Sequence, residues 1–159
     1  MTASVPVSEI RSAIKLALGE AFDTVIGMYL DKGETLRESL DDLTAEQASV
    51  PIHPGSNSIA SQVNHMNFYF DVMKNYLVGQ EPERPDWSLA WKVIEVDEDQ
   101  WSDLKQGLRD RQTELYGLID AVPDEVFADP NFLAGSYGIV AHTAFHLGQI
   151  RHARAAQGL

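Results

Sequence analysis

The stretch Gly138-Ile-Val-Ala-His142-Thr-Ala-Phe-His146-Leu-Gly-Gln149-Ile150 indicates a helix with two histidines on one face. His142 and His146 are four residues apart, which places them about 40° apart around a helix, with Cβ atoms about 5–6 Å from each other. The rest of that face is mostly small or apolar. An imidazole buried there without a partner would cost about 1–3 kcal/mol, and one divalent metal ion shared by both rings would remove that cost. Hydrogen bonds to the backbone or to other side chains are the alternative.

A metal ion held in this way needs a third ligand, and His65 is the candidate. It lies in the middle of a helical pattern whose same face carries aromatic residues, so its side chain is expected to point into the core. The alternative is an ordinary core histidine. Three imidazoles leave coordination positions open, which is typical of catalytic rather than structural zinc sites. Imidazole ligands suit zinc, nickel, copper or ferrous iron.

Four further residues are predicted to contact a substrate or to orient the metal ligands. Gln149 lies on the same face as His142, while Gln62 and Tyr69 lie one turn before and after His65. His53 precedes that helix in a loop between two prolines and could reach its first turns. The alternatives are that the first three close the ends of the core and that His53 is an exposed loop residue. His152 points away from His146 and is interpreted as a rim residue.

The rest of the chain predicts an all-α four-helix bundle formed by a single domain over residues 1–159. Apolar residues recur at intervals of three and four, and no alternating pattern indicates a strand. The predicted helices are 7–43, with a kink or break near Gly33, then 58–78, ended by Gly79, then 98–122, and then 136–156. A long connection over residues 80–97 contains Trp87 and Trp91, which are expected to pack against the bundle or against a bound apolar ligand.

Composition narrows the possible partners and ligands. The chain has 159 residues, no cysteine and a formal net charge of -12. Thiolate ligands and disulfides are therefore excluded, and the charge argues against nucleic acid and against anionic membrane surfaces. No apolar stretch reaches the length of a membrane span, and the N-terminus does not resemble a signal peptide, so a cytoplasmic protein is expected.

These features together resemble the DinB-like superfamily of four-helix-bundle metalloenzymes. The matching pieces are Ser58-Ile59 followed by His65, then Leu77-Val78-Gly79, and then the segment from His142 to Ile150. The resemblance implies an up-down-down-up bundle, a divalent metal bound by His65, His142 and His146, and frequent homodimers. It also implies a possible use of low-molecular-weight thiols, because characterised members include thiol-dependent enzymes.

Two classes of function compete at this point. The first is a metal-dependent enzyme, either a hydrolase or a low-molecular-weight-thiol-dependent transferase, that uses zinc or nickel on a small-molecule substrate. The residues Thr143, Ala144 and Phe145 separate the two histidines, so the glutamate base of a zincin metalloprotease is missing. The second class is a non-catalytic bundle that binds a small molecule or has a structural role, with or without a metal ion.

Overall fold

The computed structural model describes residues 4–78 and 84–159, and these residues form helices without any strand. The helices are α1 (Val7–Phe22), α2 (Leu36–Leu40), α3 (Ala45–Ser49), α4 (Ile59–Leu77), a 3₁₀ helix (Trp87–Trp91), α5 (Glu98–Ala121), α6 (Asp124–Phe127) and α7 (Pro130–Gln157). The four long helices α1, α4, α5 and α7 pack against one another as the bundle. The predicted all-α fold is confirmed.

Polar contacts between helices α4 and α5 show that these two run parallel. Asn67 donates to the carbonyl of Leu104, and further along both helices Lys74 pairs with Glu114. Because α4 and α5 run in the same direction, the chain has to return along the bundle between them. The long connection is that return segment, and its length follows from the topology.

The outer two helices run opposite to this central pair. Arg11, near the start of α1, donates to the carbonyl of Val122 after the end of α5, while Asp23 after α1 accepts from Gln112 in the middle of α5. In α7, His142 faces His65 of α4, and His146, one turn further along α7, faces the earlier residue Gln62. The order is therefore up-down-down-up, as the family resemblance implied.

The prediction of a helix over residues 7–43, interrupted only by a kink or break near Gly33, was wrong. Helix α1 ends at Phe22, and a non-helical segment leads to α2 and α3. Gly27 and Gly33 have φ values of 80° and 91°, which lie in the left-handed region that ends or interrupts helices. Helix α2 then begins at Leu36, and the N-cap residue Thr35 before it forms a reciprocal capping box with Glu38.

The start of the last helix also differs from the prediction. Helix α7 begins at Pro130 rather than near residue 136. The side chain of Asp129 accepts from the backbone N–H groups of Asn131 and Phe132, and proline is favoured at the first helical position. The second and third predicted helices are confirmed within a residue or two, whereas the predicted stop at Gly79 falls outside the described residues.

A single apolar core runs through the bundle. Its largest fully buried side chains come from all four long helices and include Ile14, Leu18, Met66, Phe70, Trp101, Leu115, Leu147 and Ile150. Within the described ranges, no helix has both the length and the apolar character needed to cross a membrane. Packing in this core determines which sides of α4 and α7 face each other. His65 lies on that side of α4, and His142 and His146 lie on that side of α7.

Candidate metal centre

The three predicted histidines meet between α4 and α7. The Nε2 atom of His142 lies 3.1 Å from Nε2 of His65 and 3.1 Å from Nε2 of His146. One ligand atom from each of the three rings lies within 4.8 Å of the other two. His65 and His146 are buried, and His142 is half-buried. The antiparallel packing of α4 on α7 therefore brings together residues that are 77 positions apart in the chain.

This spacing fits a shared divalent ion. Nitrogen ligands 2.0–2.1 Å from a tetrahedral zinc ion are about 3.3 Å apart. A neutral imidazole has only one N–H, so a proton on Nε2 of His142 could satisfy one of its two short contacts but not both. A cation among the three atoms would satisfy all three lone pairs. The residues present therefore fit a divalent metal ion.

Gln62 holds one ring of this cluster in a defined tautomer. Its Oε1 atom lies 2.7 Å from Nδ1 of His146. An amide oxygen can only accept, so Nδ1 of His146 carries the proton and its Nε2 presents a lone pair. Such a second hydrogen bond is the usual way in which proteins orient metal-ligating histidines. The structure thus brings the side chain of Gln62, one of the four further candidate residues, onto the ring of His146.

The other two rings are supported by aromatic stacking. His65 lies flat against Trp91, with ring centroids 4.0 Å apart and planes 14° apart. His142 lies against Tyr69 in the same way, at 3.6 Å and 12°. Within the described residues, the Nδ1 atoms of both histidines are buried and have no hydrogen-bond partner. Stacking fixes the ring planes but leaves the tautomers undetermined.

The contact between Trp91 and His65 was not predicted. The sequence indicated only that the tryptophans of the long connection pack against the bundle or a ligand. The connection is held on α4 by three side chains that are spaced three residues apart. Ser58, Ser61 and Asn64 donate to the carbonyls of Ile94, Val93 and Ala90, respectively. Polar residues at this regular spacing, on a helix that is otherwise largely buried, were the one feature of the sequence that could have indicated a segment covering α4.

Burial keeps all three rings neutral at neutral pH. It lowers the pKa of His65 below its ordinary value. Burial, together with the neighbouring His65, lowers the pKa of His142 to about 4. Burial and the two other histidines lower the pKa of His146 to about 3. Neutral imidazole is the form that binds metal ions, so the protein environment maintains the ligating state.

The remaining predicted residues lie beside the cluster rather than in it. His53 and Gln149 are exposed, and together with Gln62 and His152 they line a cavity of about 410 Å³. Gln62 is therefore shared between this cavity and the histidine cluster. Tyr69 stacks on His142. Of the four candidates, Gln62 and Tyr69 therefore contact the histidine cluster, whereas His53 and Gln149 contact only the cavity.

Comparison with known families identifies the chain. The model of the DinB superfamily matches residues 30–150, a range that contains all three histidines, Gln62, Tyr69 and Trp91. The chain belongs to the DinB superfamily. Parallel comparisons with curated proteins and with solved structures found no match. The family resemblance stated from the sequence is thus confirmed, and the site of this DinB-superfamily protein lies inside the matched range.

Proposed function

We propose that this DinB-superfamily protein is a single-domain, metal-dependent enzyme that acts on a small molecule. The observation that carries the proposal is the convergence of three neutral imidazole nitrogens, from two helices, on one point. His65, His142 and His146 would hold a divalent ion, and three protein ligands would leave coordination positions open for a substrate.

Zinc or nickel is the metal that we propose, from among the zinc, nickel, copper and iron ions that imidazole ligands suit. All three ligands are imidazoles, and the chain contains no cysteine that could add a thiolate. Imidazole nitrogens are of intermediate softness and bind both ions well, whereas calcium and magnesium prefer oxygen ligands.

The reaction is proposed to be hydrolysis or the transfer of a low-molecular-weight thiol. The bound ion would polarise a substrate and lower the pKa of a water molecule or thiol beside it. Around it, Gln62 keeps the proton on Nδ1 of His146, and Trp91 and Tyr69 exclude water from one face each of His65 and His142. Burial raises the pKa of Tyr69, so its side chain stays a neutral phenol.

Metal analysis is the first test of this proposal. Wild-type protein is purified, its metal content is measured, and zinc and nickel binding to the chelator-treated protein are titrated by calorimetry. We expect one ion per chain, and loss of that ion in His146→Ala and His65→Ala. The exposed histidine variant His152→Ala is the matched control and should keep the ion. Wild-type protein that takes up neither metal would exclude the proposal.

Activity assays then separate an enzyme from a non-catalytic binding protein. Thiol-conjugation and ester-hydrolysis panels are run with metal-loaded wild type, with metal-free wild type and with His146→Ala. We expect turnover only in the loaded wild type. Metal binding with equal rates in all three samples would instead favour the non-catalytic alternative.

A homodimer is also proposed, on the basis of an uncharged exposed face of α7. Residues 130–150 contain no Asp, Glu, Lys or Arg, although the chain as a whole has a net charge of -12. On this helix Tyr137 and Phe145 are 55% and 59% exposed. A second copy presenting the same uncharged face would cover these rings without bringing acidic surfaces together.

Light scattering tests the dimer. It should give twice the chain mass for wild type and the chain mass for Phe145→Glu, and a monomeric wild type would contradict the dimer.

A further inference from the structure

The cavity beside the histidine cluster has a neutral, hydrogen-bonding lining. Its polar side chains are His53, Ser56, Asn57, Gln62, Gln149 and His152. None of its lining residues is Asp, Glu, Lys or Arg, although the chain contains 36 such residues in total. Imidazoles and amides arranged in this way suit a small polar molecule better than an ion of high charge.

Gln62 supplies a fixed donor to this cavity. Its Oε1 atom is already occupied by Nδ1–H of His146, so its amide nitrogen is directed elsewhere. Gln62 is only 8% exposed, it lines the cavity, and its amide nitrogen has no hydrogen-bond partner in the described part of the chain. This amide nitrogen is therefore a hydrogen-bond donor that is open to the cavity, where water or the carbonyl of a bound molecule can accept from it.

A hydrogen-bonded turn over residues 53–56 forms another part of the cavity lining. The backbone N–H of His53 donates to Oγ of Ser56, and the backbone N–H of Ser56 donates to the carbonyl of His53. Gly55 between them has a φ of 84°, a conformation that favours glycine. Nδ1 of His53 lies 3.2 Å from the carbonyl of Pro54, so this atom carries the proton and Nε2 is free as an acceptor.

We propose that this cavity binds a small polar molecule through a carbonyl oxygen that accepts from the amide of Gln62. Gln62 contacts His146 through Nδ1, whereas the three Nε2 atoms face one another, and the described lining of the cavity includes none of the three clustered histidines. The bound molecule is therefore not a metal ligand. It acts on the metal site through a chain of two hydrogen bonds, from carbonyl to Gln62 and from Gln62 to His146.

This chain predicts that the two sites are coupled. A carbonyl that accepts from the amide N–H₂ polarises the amide, which makes Oε1 a better acceptor and the His146 ring a better ligand. Occupation of the cavity should therefore raise metal affinity, and by linkage a bound metal should raise affinity for the molecule in the cavity. The coupling rests on the metal site of the proposed function, whereas binding in the cavity does not.

The test uses N-acetylglycinamide, an uncharged probe with two amide carbonyls, and amide-detected NMR of the metal-free protein. We expect the probe to shift the side-chain signals of Gln62 and the backbone signals of residues 53–57 and 149–153. Gln62→Glu keeps an oxygen for His146 but replaces the donor by a carboxylate, and should weaken probe binding by at least about fivefold. Gln106→Glu adds the same charge at an exposed position on α5 and should leave probe binding unchanged.

A second measurement keeps the proposal testable if Gln62→Glu does not fold. His152→Ala changes an exposed lining residue and should weaken probe binding without changing zinc affinity. In wild type, a saturating probe should raise zinc affinity by about fivefold, at the low end of typical couplings. Probe shifts that are absent from the cavity, or binding that both lining variants leave intact, would overturn the site. Unchanged zinc affinity would overturn the coupling.

Probe binding by a protein that takes up no metal would refute the proposed function but not the cavity site.

Discussion

Two buried polar groups in this bundle differ in how their hydrogen bonds are met. The carboxylate of Glu20, whose side chain is fully buried, accepts from the backbone N–H groups of Gly27 at 2.8 Å and Met28 at 3.0 Å, with Ile26 and Leu30 slightly further away. The histidine cluster is nearly as buried. Its Nδ1 atoms on His65 and His142 have no partner within the described residues, and its three Nε2 atoms face one another.

The difference separates a polar group whose hydrogen bonds are complete from one whose burial needs an additional partner. Almost all buried polar atoms in folded proteins are hydrogen-bonded, and a group that is not needs a specific explanation. Glu20 needs no such explanation, because its carboxylate oxygens accept from backbone N–H groups of the loop that follows α1. The histidines are explained if a cation occupies the point between their Nε2 atoms. The contrast makes opposite predictions for the two groups.

The largest expected effect is on stability when zinc is added. At a zinc concentration 1,000 times the Kd, binding to the folded state adds about 4 kcal/mol to the free energy of unfolding. His142→Leu should abolish this gain. In the metal-free protein the same substitution should leave stability unchanged or raise it by about 1 kcal/mol, because it removes a buried ring with an unpaired nitrogen. Urea unfolding with and without zinc measures both quantities.

Glu20→Leu is the matched substitution at the group whose hydrogen bonds are complete. Its effect on the stability of the metal-free protein should be opposite to that of His142→Leu. It leaves the loop N–H groups without their acceptor and should lower the stability of the metal-free protein. Zinc should still stabilise this variant as it does wild type. If His142→Leu destabilised the metal-free protein as much as Glu20→Leu, the distinction between the two groups would be wrong.

The next effect concerns the hydrogen-bonded ring of the cluster. Gln62→Leu removes the acceptor for Nδ1–H of His146 and should weaken zinc binding by about 10- to 100-fold, the usual cost of losing such a partner. Gln62→Glu restores an acceptor and should recover most of that affinity. Competition with a chelator of known affinity measures the change. Equal affinities for wild type and Gln62→Leu would show that this hydrogen bond does not orient the ligand.

Much of this site could be predicted from the sequence because its signals are local. The spacing of His142 and His146 defines a helix face, and the position of Gln62 one turn before His65 puts both on the same side of α4. The start of α7 was missed although its signal is also local, since Asp129 followed by Pro130 is a favoured beginning for a helix.

Other features depend on contacts that the sequence does not reveal. The spacing of apolar residues after Phe22 is typical of a helix. In the structure, however, the buried carboxylate of Glu20 accepts hydrogen bonds from the backbone N–H groups of Gly27 and Met28, which holds this segment as a loop. The stacking of Trp91 on His65 depends on the parallel arrangement of α4 and α5, which forces the connection back across α4. The spacing of apolar residues says nothing of helix direction.

The pH dependence of the Glu20 contacts is a smaller effect. Burial alone would raise the pKa of Glu20, but the donors Gly27, Met28, Leu30 and Ile26 outweigh it, and the pKa falls below its ordinary value of 4.5. A carboxyl with a lowered folded pKa gives stability that is present above the unfolded pKa and is lost as the pH falls through the folded pKa. The difference in Tm between wild type and Glu20→Gln should therefore be several degrees at pH 7 and should shrink below about pH 4.5. A difference that does not change with pH would contradict this account.

The smallest effect should come from the stacked side of the cluster. Trp91 contributes no hydrogen bond to His65, only a parallel ring at 4.0 Å. Aromatic pairs of this kind are worth about 0.5–1.5 kcal/mol beyond their buried area, so Trp91→Leu should weaken zinc binding by about 2- to 12-fold. Trp91→Phe keeps a ring and should stay close to wild type. Trp87→Leu, in the same 3₁₀ helix but 43% exposed and 6.4 Å from His65 between ring centroids, is the control for general loosening of the connection. If Trp91→Leu matched Gln62→Leu in its effect on zinc, stacking and hydrogen bonding would be equivalent supports. If it matched Trp87→Leu, Trp91 would only cover the histidine without positioning it.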